Sequence, residues 1–161
     1  MKINTQLLIL FSLIIINCNS QQKTGIHTNS SINNQKLQKI DKIQLQEQTR
    51  GTNRIFTFQP TSLHIFLNGT DTQQELSAAD WENIVKQAAL LDLSKILTYI
   101  SPTTGRYSDS ALSSTIIITA AGKTYESASF DAGIPPKELE GLYVLLRNKL
   151  GTVKRSSPKF R

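Results

Sequence analysis

One cysteine occurs in this chain of 161 residues, and it stands at position 18, one residue beyond the most apolar stretch. That placement limits how the remainder can fold. No internal disulfide is available, so any domain must be held by its own hydrophobic core. The apolar stretch itself, Leu7 to Ile16, follows a charged start at Lys2 and has no polar face. It is shorter than the roughly 20 helical residues that a bilayer requires. A basic start, a short apolar run and a polar boundary predict a secretory signal peptide over residues 1–17.

Ile15-Ile16-Asn17-Cys18 resembles a lipobox, the motif read by lipoprotein signal peptidase, with a branched apolar residue three positions before the cysteine. Asn17 departs from the small residue usual before the cysteine, so an uncleaved anchor and an ordinary signal peptide stand as alternatives. The resemblance implies a diacylated or triacylated Cys18, and several acyl chains hold a protein on a membrane where one is marginal. A thioether-linked lipid also removes a free thiol, which leaves thiol catalysis unexpected. Asn19 occupies the place where lipoproteins retained in the inner membrane often carry Asp, so the resemblance implies an outer-membrane destination.

Residues 18–39 read as the lipidated cysteine and a flexible tether. Asn, Gln, Ser, Thr and Lys dominate, with Ile26, Ile32 and Leu37 isolated among them. Such a segment buries too little apolar surface to offset its ordering entropy. A flexible coil of this length reaches roughly 25 Å. His27 falls within it and is expected to be solvated. Residues 40–151 then form a single domain of ordinary size. The net charge of +6 is uneven. Six basic residues and no acidic one follow Leu146, whereas residues 19–146 hold eleven basic and twelve acidic ones. This distribution argues against a nucleic-acid surface. It places the basicity at the C-terminal end, with residues 152–161 a basic disordered tail that is either solvated or held near anionic lipid.

The domain predicts an α+β fold, an antiparallel sheet with two helices packed on one face, in the order strands, helix, β-hairpin, helix. Ile43 and Leu45 alternate with polar neighbours between Lys42 and Arg50. Arg54–Gln59 and Leu63–Leu67 are short β-prone runs divided by Pro60-Thr61, and Asn68-Gly69 suits a tight hairpin before a strand over 72–76. Ser77 is the expected N-cap of the first helix, answered by Asp80, with Leu76 and Trp81 at the positions of a hydrophobic staple. Trp81, Ile84, Val85, Ala88 and Leu91 share one helical face. Asp92 opens a short turn carrying Leu93, Ile96 and Leu97. Ser113–Ala120 and Lys123–Phe130 form a hairpin about Ala121-Gly122, with Ile116, Ile118 and Tyr125 on its buried side. Pro135-Pro136 opens a second helix with the stripe Leu139, Leu142, Tyr143, Leu146 and Leu150, ended by Gly151. Gly141 sits inside that helix, a destabilising place unless the helix passes close to the sheet.

The chain contains no H-E-x-x-H, no G-x-S-x-G and no phosphate-cradling glycine loop, and its histidines are His27 and His64 alone. No cofactor, metal site or catalytic residue is assigned. His64 lies in a strand facing away from Leu63 and Ile65, as an ordinary surface histidine does. The polar loop 101–110 is long for a connection in a small domain, and long loops often carry function. Its Arg106, Tyr107 and Asp109, with Asp131 of a later turn, form the candidate binding loop. Arg106 suits a carboxylate or phosphate ligand bidentately. Equally, it suits a pairing with Asp109 or Asp131 that pins the loop to the final helix.

Leu-Ser-Ala-Ala-Asp-Trp (76–81), Ser-Pro-Thr-Thr-Gly-Arg (101–106) with Asp109, Gly-Lys-Thr-Tyr-Glu-Ser (122–127) and Phe-Asp-Ala-Gly-Ile-Pro-Pro (130–136) resemble small uncharacterised lipoproteins of Gram-negative envelopes. The resemblance covers about half of the chain. It implies an envelope location and a domain extent, and transfers no catalytic residues. The expectation is a membrane-anchored, non-enzymatic binding domain. Its partners are the membrane, through the N-terminal lipid, and an envelope protein, glycan or lipid ligand. The alternatives are a small hydrolase using Asp109 and Asp131, or an enzyme inhibitor presenting the 101–110 loop.

Overall fold

Alternation of apolar and polar residues builds the sheet at the centre of the fold. The computed structural model describes residues 39–151; the predicted signal peptide, Cys18, the tether up to residue 38 and the tail 152–161 lie outside the described residues. Strands β1 (Ile40–Thr49), β2 (Thr52–Gln59), β3 (Ser62–Leu67) and β4 (Thr70–Glu75) run as successive hairpins. Helix α1 (Ala78–Ala88) and a 3-10 turn (Leu93–Thr98) follow, then β5 (Ser113–Ala120), β6 (Lys123–Glu126) and β7 (Phe130–Asp131), and finally α2 (Glu140–Gly151). The strand order is β4-β3-β2-β1-β5-β6, with β7 also on β5, and every pairing is antiparallel. The architecture is α+β, as the patterning predicts.

One face of the sheet supplies the core. Ile43 and Leu45 of β1, Phe56 and Phe58 of β2, Leu63 and Ile65 of β3, and Ile116 and Ile118 of β5 are all buried. Ile84 and Ala88 of α1 and Leu142, Tyr143 and Leu146 of α2 complete the same cluster. A fully buried side chain of this size contributes about 1.5–3 kcal/mol. The other face carries Gln44, Thr57, His64 and Gln73 in one cross-strand row. His64 is half-buried there, away from its apolar neighbours. No described helix is long and apolar enough to cross a membrane.

Turn chemistry fixes the register. Asn68-Gly69 and Ala121-Gly122 both have positive φ at their two central residues, the conformation that matches a two-residue hairpin to the strand twist. Ala121 holds φ 49 without the advantage of a glycine. Two one-residue slips modify the pattern. Ile40 pairs Ala120 while Lys42 pairs Thr119, so a bulge at Asp41 returns Ile40 to the buried face.

The second slip corrects the predicted Lys123–Phe130 strand. Regular pairing stops at Glu126 and resumes at Phe130. In the gap, buried Ser127 accepts the Ile116 N–H with its Oγ at 3.0 Å and donates its own N–H to the Ile116 carbonyl at 2.9 Å. A side chain thus stands in for a backbone acceptor.

The helices follow their caps with three adjustments. Ser77 Oγ accepts the Asp80 N–H at 3.1 Å, but the Asp80 carboxylate reaches across to Lys149 of α2. Pro136 begins a 3-10 turn (Lys137–Leu139) that runs into α2. Gly141 therefore lies in the first turn of α2, and the close neighbour is α1 rather than the sheet: a Cβ there would stand 2.8 Å from Gln87 Oε1. Leu97, predicted to share an apolar turn with Leu93 and Ile96, is 66% exposed.

Candidate functional site

The loop 101–110 is held by a buried ion pair. Arg106 and Asp131 side chains are 7% and 4% exposed, and Nη1 meets Oδ1 at 3.0 Å. The same Asp131 carboxylate accepts the backbone N–H of Gly105 at 2.6 Å and of Arg106 at 3.0 Å. A short 3-10 turn (Gly105–Ser108) aims both N–H groups at it. Gly105 is required by this approach, because a Cβ would come 2.9 Å from Asp131 Oδ2. Burial pushes the Asp131 carboxyl up, but hydrogen bonds from the Arg106 backbone and guanidinium and from Gly105 outweigh it and hold the pKa at about 2.

Arg106 has few donors left to offer. Nε donates to Ser129 Oγ at 3.1 Å, Nη1 also to the Thr103 carbonyl at 2.6 Å and Ser101 Oγ at 3.1 Å, and Nη2 to Tyr107 Oη at 2.9 Å. Its guanidinium also lies 4.3 Å from the Tyr107 ring centroid. Of the two pairings open to Arg106, the structure realises the one with Asp131. The pin joins the loop to β7 rather than to the final helix. Asp109 lies elsewhere: it meets Arg50 Nε at 3.3 Å and accepts from Thr49 Oγ1 at 3.4 Å, on an exposed surface. The structure thus brings Arg106, Tyr107 and Asp131 together and leaves Asp109 at the β1–β2 turn. Tyr107 itself is 75% exposed. Among the described residues no cluster of three or more His, Cys, Asp or Glu is placed to hold a metal.

A second polar constellation was not anticipated from the sequence. Glu47 follows Ile43 and Leu45 on the inward side of β1 and is 1% exposed. Its Oε1 accepts from Arg147 Nη1 of α2 at 2.9 Å. Oε2 lies 3.7 Å from Arg54 Nη1 and has no hydrogen bond among the described residues. Arg54 is the cross-strand neighbour of Glu47 on β2, and Ser114 of β5 is its neighbour on the other side. Tyr143, one helical turn before Arg147, packs edge-on against Phe130 with centroids 5.4 Å apart and accepts the Gly133 N–H at 2.7 Å. Burial, with the Glu47 charge, pushes its hydroxyl pKa up.

The two arginines border a cleft of about 730 Å³ between the β2–β3 end of the sheet and the end of α2. Phe56, Ile65, Leu67 and Leu150 supply its apolar wall, and Asn68 and Gly151 its rim. The cleft is broadly open to solvent, and it combines an apolar wall with a few polar groups, the mix found in small-molecule sites. Arg54 and Arg147 side chains are 42% and 45% exposed, while Glu47 does not line the cleft. Arg147 and Lys149, counted with the basic C-terminal end in the sequence, are here helical and ion-paired, with Glu47 and Asp80. Parity held the signal for this site, because a carboxylate in register with Ile43 and Leu45 must find a cation on an adjoining element.

The fold and these two polar centres define a small α+β domain with a pinned loop and an arginine-bordered cleft. Comparison with protein-family models, with curated proteins and with solved structures returned no match.

Proposed function

We propose that this chain is an envelope lipoprotein. Residues 1–17 act as its signal peptide and Cys18 carries the lipid. Residues up to 39 tether a non-enzymatic binding domain, residues 40–151, at the outer membrane, and residues 152–161 form a basic tail. The placement of the only cysteine one residue beyond Leu7–Ile16, together with the resemblance to small Gram-negative lipoproteins, supports the anchor. The arginine-bordered cleft is the observation that carries the binding reading. The hydrogen bonds engaging Arg106 support a structural role for the 101–110 loop, which stiffens one end of the domain.

Metabolic labelling with palmitate tests the anchor. The wild-type chain is expected to incorporate label and to stay with membranes after alkaline carbonate washing, and Cys18→Ser to lose the label. Equal labelling of the two, or unchanged fractionation of the variant, refutes it. For the binding reading, small molecules that bind the domain are expected to shift resonances of Leu67, Asn68 and Leu150. Ligands that bind only elsewhere would overturn the assignment to this cleft.

A further inference from the structure

The charges around the cleft select its ligand. Two guanidinium groups border it, and among the described residues the carboxylate that meets them is Glu47, behind its lining, so these three side chains sum to one positive charge. Glu47 engages one Nη1 of Arg147 and stands near one Nη1 of Arg54. A guanidinium has five N–H donors in a fixed fork, and a single contact leaves the rest to water or ligand. Anchoring Arg147 from the buried side lowers the entropy lost when an anion is gripped from the open side. The wall below them is apolar: Phe56 and Ile65 are buried there, and Leu67 is 44% exposed. An exposed leucine at the end of an edge-side strand gains by being covered.

Resting on the binding reading above, we propose that the cleft binds amphiphiles with an anionic head, phosphate or carboxylate. The head lies against Arg54 and Arg147, and the apolar chain lies along Phe56, Ile65, Leu67 and Leu150. Arginine suits such heads because its planar fork donates two parallel hydrogen bonds to one carboxylate or phosphate. A neutral amphiphile gains the wall alone, and a cationic one meets repulsion. The head belongs either to a free small molecule or to a membrane lipid, and the chemistry recognised is the same.

Titration calorimetry on the full chain carrying Cys18→Ser tests this with decyl phosphate, decanol and decyltrimethylammonium, each below its micelle-forming concentration. Decyl phosphate is expected to bind one to one, at least tenfold tighter than decanol, with the ammonium weaker still. Arg54→Gln is expected to weaken decyl phosphate at least fivefold without changing decanol. Glu47→Gln removes the carboxylate opposing the two arginines and tightens decyl phosphate, an outcome that loss of folding does not mimic. Equal binding of decanol and decyl phosphate overturns the anionic head and leaves the binding domain standing. No binding of either by a folded chain removes the cleft as a binding site altogether. Vesicles of phosphatidylglycerol, compared with phosphatidylcholine, separate the two sources. Competition by decyl phosphate for the former identifies a lipid head, and binding of monomers alone identifies a free amphiphile.

Discussion

The Glu47–Arg147 pair predicts an asymmetry in which the exposed partner matters more than the buried one. Arg147→Met keeps most of the aliphatic stem and removes the guanidinium. Glu47, 1% exposed, then loses its hydrogen bond on Oε1, while Oε2 has only Arg54 at 3.7 Å. Removing one partner of a buried pair typically costs about 3–5 kcal/mol, and the remaining Arg54 keeps this case near 3. Glu47→Gln leaves two arginines whose side chains are 42% and 45% exposed, so water solvates what the carboxylate released. The loss is the charge assistance of one hydrogen bond, about 1 kcal/mol. For a domain of this size each kcal/mol moves the Tm by roughly 4 °C. Chemical and thermal unfolding of the full chain carrying Cys18→Ser are therefore expected to drop the Tm about 12 °C for Arg147→Met and about 4 °C for Glu47→Gln. In the Arg147→Met background, Glu47→Gln is expected to restore stability, because it removes the unpaired charge. An equal cost for Glu47→Gln and Arg147→Met would refute this asymmetry. So would additivity of the two changes within about 0.5 kcal/mol, as independent sites show.

Other outcomes follow from single contacts. Asp131 titrates near 2 in the fold against an ordinary value of 3.8, so its contribution is whole above pH 3.8 and is lost as pH falls through about 2. Unfolding free energy should fall more steeply from pH 4 to pH 2 in the wild type than in Asp131→Asn, and parallel curves would refute the clamp. Gly105→Ala places a Cβ 2.9 Å from the fixed Asp131 Oδ2 and is expected to destabilise the domain and speed amide exchange across 101–110. Gly141→Ala meets only the free end of Gln87 and gains helix propensity, so denaturation should show stabilisation of about 0.5 kcal/mol. Ala121→Gly relieves φ 49 in the β5–β6 hairpin and should stabilise by about 0.5–1 kcal/mol, a gain that an unchanged denaturation midpoint contradicts.

Local chemistry was legible wherever one residue type answers one geometric need. Ser77 at a helix start, Asn68-Gly69 at a hairpin and Pro136 ahead of α2 each declare their positions, and the period-two alternation of Ile116 and Ile118 identifies the buried face. The interruption at Ser127 was hidden because a serine hydroxyl imitates a backbone acceptor, which no periodicity records. The loop pairing was half legible: Arg106 and Asp131 are both prominent in the chain, but the choice between Asp131 and Asp109 depends on where β7 lands on β5. The cleft was missed for a different reason. Arg147 belongs in sequence to a basic run, and only the helix places it one turn from Tyr143 and opposite Glu47.

Where a ligand sits on the domain decides between the cleft and the 101–110 loop. Amide resonances of the isotopically labelled full chain carrying Cys18→Ser, followed during titration with decyl phosphate, locate it directly. The expected result is a saturable shift of Arg54, Leu67, Asn68 and Leu150, with residues 101–110 unmoved. Shifts confined to residues 101–110, or none at the arginine-bordered cleft, would contradict it.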